Sequence, residues 1–102
     1  MEKLYKVCTN KGNKRIWIEG QILINTGFKN GACFARLMSE DKIVLSFEMP
    51  QVMNKKNPQH KIAGTQQRPI IDLCGKYLTA FFGNATQYKA AFNGQTITIT
   101  KE

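Results

Sequence analysis

The chain has 102 residues, of which 42% are hydrophobic, and no apolar run approaches the ~20 residues of a membrane helix. These properties exclude extended disorder and a helical membrane span, and they favour one domain with one modest core. The formal net charge of +8 favours anionic partners, nucleic acid first and acidic proteins second.

In chain order, "LYKVC" reads as a short strand, followed by a turn around Gly12. "RIWIE" is a second strand, with Ile16 and Ile18 on one face and Arg15, Trp17 and Glu19 on the other. Gly20 breaks it. "QILINTGF" allows no more than a short helical stretch, ended at Gly27, where glycine suits a helix C-terminus. "ACFARLM" and "KIVLSF" read as a hairpin around "SEDK". The stretch "EMPQVMNKKNPQ", with Pro50 and Pro58, has no sustained period and reads as a linker. "HKIAG" and "PIIDLC" are strands, with Pro69 at a strand start, where its missing N–H is tolerated. "GKYLTAFF" spaces Leu78, Phe81 and Phe82 as one helical face. "QYKAAF" and "TITIT" form a hairpin at Asn93-Gly94, a type I′ turn signal.

This order is given twice. At an offset of 55, which sets Gly20 on Gly75, Lys6 meets Lys61, Val7 meets Ile62, Ile16 meets Ile71, Ile18 meets Leu73 and Leu23 meets Leu78. One residue is then lost. At an offset of 54, Phe28 meets Phe82, Phe34 meets Tyr88, Ile43 meets Ile97 and Leu45 meets Ile99. The expected organisation is a single domain over 1–102: repeat one at 5–47, a linker at 48–59 and repeat two at 60–101. Each repeat has about four short strands and one helical turn. A sheet that small leaves an apolar face bare, and two copies facing each other hide it. The fold class expected is therefore mainly β, a small closed or nearly closed barrel of two pseudo-symmetric repeats.

Copy one resembles the SymE toxin family. The similarity is carried by Gly20, Gln21, Ile22 and Leu23, then Thr26-Gly27-Phe28, Gly31 and Ile43-Val44-Leu45. Ile22 stands where that family has Trp, and Tyr77 is its counterpart in copy two. Copy two keeps Pro69, Gly75, Leu78 and Phe82 but has Ala85 in place of Gly31. SymE proteins resemble the AbrB superfamily, in which hairpin units from two chains interlock as a swapped-hairpin barrel. The resemblance implies a bacterial, cytoplasmic, tandem pseudo-dimer associated with DNA or RNA. It also brings RNA cleavage and a toxin–antitoxin setting as possibilities, without a catalytic motif to transfer.

The residues themselves offer little chemistry. His60 is the sole histidine, and general acid–base work wants a second titratable partner that sequence does not place. Cys8, Cys33 and Cys74 lack the close spacing of a zinc site and read as small buried or half-buried thiols in a reducing cytosol. Glu19 and Asp72 lie in equivalent strands and approach in a pseudo-dimer, but no metal and no cofactor is expected. No phosphate-cradling glycine loop is present. Enzymatic activity is left open, with none expected from this chain alone.

The candidate nucleic-acid face is Lys14, Arg15 and Arg68 with Lys6 and Lys61, grouped around the pseudo-twofold axis. Lys29, Arg36, Lys76 and Lys89 are second choices. Trp17 either stacks on a base or partner or caps the end of the barrel. A second class of function is a protein-binding accessory or inhibitor of a nucleic-acid-handling complex, with Trp17, Met49, Val52 and Met53 as contacts. The third is an RNA-cleaving toxin. Either a monomeric pseudo-dimer or a homodimer fits this reading.

Overall fold

The computed structural model describes residues 1–47 and 59–102. The first half runs β1 (Glu2–Lys6), β2 (Cys8–Asn10), β3 (Asn13–Glu19), α1 (Gln21–Asn25), β4 (Cys33–Met38) and β5 (Lys42–Ser46). The second half runs β6 (Gln59–Lys61), β7 (Ala63–Gly64), β8 (Pro69–Cys74), α2 (Lys76–Phe82), β9 (Gln87–Asn93) and β10 (Thr96–Lys101). Met49, Val52 and Met53, and the linker stretch 48–58, lie outside the described residues.

The protein is mainly β. Its strands form two antiparallel sheets, a six-stranded one ordered β1-β9-β10-β5-β4-β6 and a four-stranded one ordered β2-β3-β8-β7. Alternation decides which side chains enter the core. Ile16 and Ile18 of β3, and Ile71 and Leu73 of β8, turn inward from the small sheet. They join Phe34, Ile43, Leu45, Tyr88, Ala90, Phe92, Ile97 and Ile99 of the large sheet in one continuous core. Fully burying each aliphatic side chain contributes roughly 1.5–3 kcal/mol, so this cluster is the main reason that such short strands hold. Both helices are far shorter than an independently stable helix. They are held by what they bury: Leu23 in α1, and Leu78, Phe81 and Phe82 in α2.

The pairings repeat at the two offsets. Trp17 lies directly opposite Asp72, its own equivalent at offset 55. Val44 lies opposite Thr98, its equivalent at offset 54. A pseudo-twofold axis therefore passes through the centre of both sheets. The outer pairs are reciprocal: β1 of the first half pairs with β9 of the second, and β6 of the second with β4 of the first. Their registers are equivalent too, Lys6 opposite Gln87 and Lys61 opposite Cys33.

Three details differ from the sequence-based expectation. The strands do not close: among the described residues they make two sheets rather than one barrel. The cause is a break in the opening strand of each half. The Val7 N–H bonds to the Thr86 carbonyl and the Ile62 N–H to the Ala32 carbonyl, both at 2.9 Å, and there the chain leaves the large sheet for the small one. "LYKVC" and "HKIAG" are thus each two strands, and each half has five. Second, Asn93 and Thr96 face each other, so the hairpin loop is Gly94-Gln95. Positive φ occurs there only at Gly94 (60°), the pattern of a type II′ turn. The left-handed pair that a type I′ turn needs is found instead at Lys11 (53°) and Gly12 (85°). Third, Cys8, Cys33 and Cys74 are exposed, because each falls on an outward strand position. No helix among the described residues is long and apolar enough to cross a membrane.

Candidate nucleic-acid interface

The outer face of the small sheet carries Arg15, Trp17 and Glu19 on β3 and Arg68 and Asp72 on or beside β8. Arg15 donates from Nε and Nη2 to the two carboxylate oxygens of Asp72, at 2.8 and 2.9 Å. Its guanidinium carbon also lies 4.4 Å from the Trp17 ring centre. Arg68 makes the matching fork on Glu19, at 2.9 and 3.3 Å. The Trp17 indole and then Arg68 hold the Glu19 carboxyl below the usual carboxylate range. The Asp72 fork raises the Arg15 pKa further. Both forks join the two halves of the chain, which is how Glu19 and Asp72 each come to face a guanidinium. Trp17 lies at the centre of this face, between the two ion pairs.

The other expected contacts are spread differently. Lys6 and Lys61 are exposed and stand at equivalent strand ends. Lys14 is half-buried, and its backbone N–H donates to Thr79 Oγ1 at 2.9 Å, which ties β3 to α2. The same tie brings Lys76, in the first turn of α2, and Lys11, in the β2–β3 turn, to that end of the small sheet. Lys29 is exposed at a shallow cleft with Asn30, Gln66 and Pro69. Lys89 lies 3.8 Å from Glu2. Among the described residues, Lys6, Lys14, Lys29, Lys61 and Lys76 form no ion pair.

Arg36 is the exception among the arginines. It is partly buried and has no carboxylate partner among the described residues. Its guanidinium carbon lies 3.5 Å from the Tyr77 ring centre. Nη1 approaches His60 Nε2 at 3.3 Å. Arginine only donates, so Nε2 is the acceptor and the His60 proton sits on Nδ1. Burial, and then the Arg36 charge, lower the His60 pKa. Burial raises the Tyr77 pKa, and Arg36 partly offsets this. Sequence offered no hint of this cluster, because Arg36, His60 and Tyr77 come from three separate elements, β4, β6 and α2.

The described residues contain no group of three His, Cys, Asp or Glu side chains that could hold a metal ion. No family model, curated protein or solved structure matches the chain.

Proposed function

We propose that the protein binds nucleic acid through the phosphate backbone, as a single-chain pseudo-dimer of the swapped-hairpin kind found in AbrB-like and SymE-like proteins. The observation that carries this proposal is the imbalance between paired and unpaired charge. Glu19 and Asp72 are taken up by Arg68 and Arg15, whereas Lys6, Lys14, Lys29, Lys61 and Lys76 form no ion pair among the described residues. Such lysines neutralise phosphates and release their counterions. The reciprocal pairing of β1 with β9 and β6 with β4 supports the pseudo-dimer. Lys6 and Lys61 are equivalent at offset 55, so a twofold-symmetric duplex would meet them alike.

A second function is favoured by one face only. Trp17 between two charge-balanced ion pairs is the composition of a protein contact, where Trp and Arg supply much of the binding energy. Salt separates the two. Titrating labelled duplex DNA and single-stranded RNA by fluorescence anisotropy, at about 50 and 200 mM salt, is expected to show a steep loss of affinity as salt rises. Replacing both Lys6 and Lys61 with Ala is expected to flatten the log–log salt slope by about 2, one unit for each lost phosphate contact. Absence of binding at low salt overturns the proposal and leaves the Trp17 face as the working surface.

A further inference from the structure

The pseudo-twofold axis supplies an internal control. Each end of the large sheet packs one ring of an edge strand against one ring of the adjacent strand. At one end these are Tyr5 and Tyr88, with centroids 5.4 Å apart. At the other they are His60 and Phe34, also 5.4 Å apart. The first end is completed by Ala90 and Ile22. The second has Arg36 and Tyr77 at those equivalent positions. The fold closes an end with alanine and isoleucine, so it does not require the arginine.

Placing a guanidinium there is costly unless something answers it. Arg15 and Arg68 each have a carboxylate fork, and Arg36 has none among the described residues. Its Nε–H is buried without an acceptor among the described residues. An unmet buried donor is destabilising, more so on a charged group. The neighbours do not supply negative charge: His60 offers one neutral ring nitrogen to Nη1, and Tyr77 offers its ring face. Arg36 as a whole is only partly buried.

We infer that Arg36, stacked on Tyr77 and flanked by His60, is a binding site for a phosphate group. A guanidinium presents a planar fork that matches two phosphate oxygens, and stacking on an aromatic ring fixes its plane. An oxyanion there supplies the negative charge that neither His60 nor Tyr77 provides. The imidazole and the Tyr77 hydroxyl are the further groups able to donate to it, His60 after taking up a proton. The site takes either a phosphodiester of a nucleic-acid strand or a free phosphate. In expecting phosphate it rests on the nucleic-acid proposal above, and the two are tested so that they fail separately.

The test follows the His60 ring resonances by NMR during titration with inorganic phosphate, against chloride at matched ionic strength. A saturable shift is expected, with the His60 titration midpoint moved upward by the bound anion. Arg36→Met keeps the stem against Tyr77 and removes the fork, and it is expected to weaken phosphate binding about tenfold or more. Arg36→Ala copies the equivalent Ala90 and provides a second variant should the first fold poorly. Lys3→Ala, on β1 at the opposite edge of the large sheet, is expected to leave phosphate binding unchanged. No saturable shift, or one that persists undiminished in both Arg36 variants, overturns the site. An oligonucleotide without terminal phosphates is then added. If it displaces phosphate, the ligand is a backbone diester. If it binds elsewhere or not at all while phosphate binding persists, the site stands as one for free phosphate, and in the second case the nucleic-acid proposal falls alone.

Discussion

The two ends of the large sheet follow one plan and differ in content. Tyr5, Tyr88, Ala90 and Ile22 make one end, and His60, Phe34, Arg36 and Tyr77 make the other. What both keep is a pair of rings in contact between the edge strand and its neighbour, stacked at 18° for Tyr5 and Tyr88 and tilted at 30° for Phe34 and His60. What differs is polarity: the first end buries two hydroxyls, of Tyr5 and Tyr88, that find no partner among the described residues, and the second gathers a cation, an imidazole and a phenol. The ring pair therefore belongs to the fold, and the polar groups are free to vary around it.

The largest expected effect comes from removing what both ends share. Tyr88 and Phe34 are fully or almost fully buried, and truncating either to Ala is expected to cost about 3–5 kcal/mol in urea unfolding. Comparable losses at the two ends would uphold the equivalence, and a large difference would break it. Tyr88→Phe isolates the hydroxyl. Burial holds its ionisation far above the usual range, partly offset by the Trp17 backbone. With no acceptor met, the change is expected to be neutral or to stabilise by up to about 1 kcal/mol. A loss of stability would instead show the hydroxyl bonded to Trp17.

Acid treatment distinguishes the ends because His60 stands at one of them and Tyr5 at the other. Folded His60 holds its proton less tightly than the ordinary value of 6.5, so the unfolded chain binds more protons. Stability is thus present above that value and is lost as pH falls through it toward the lower folded pKa. His60→Tyr, which copies Tyr5, is expected to remove this loss from melting curves recorded on either side of 6.5. The Glu19 contribution lies lower, lost only as pH falls from its ordinary value of 4.5 toward the depressed folded one. The smallest effect is expected for Arg68→Ala. Its side chain is 68% exposed, and whatever small loss of thermal stability it brings should vanish in high salt.

Much of the architecture was legible in the sequence because alternation and spacing are local. Ile16 and Ile18 announced which face of β3 is buried, and the two offsets matched equivalent elements. Neighbours were not legible, because alternation says which way a side chain points and not what lies beside it. That β1 lies on β9, and that Arg15 meets Asp72 and Arg68 meets Glu19, depends on contacts between distant segments. The breaks at Val7 and Ile62 were hidden for a related reason: one N–H bonding to a loop carbonyl leaves no mark in the residue pattern. Of the site, the exposed lysines were readable as charge. The Arg36 cluster was not, since its three members are assembled by the fold.

The reciprocal pairing has a consequence for synthesis. β1 has no partner until β9 exists, and β9 begins about 85 residues after β1, some 4–17 s behind at ribosomal rates of roughly 5–20 residues per second. Through that interval Tyr5 stays unstacked, and the edge of β4 stays uncovered for the shorter time until β6 is made. Neither half finishes first. The nascent chain passes through a long stage in which strand edges are open to other chains, and a chaperone or a second nascent copy has its best access then.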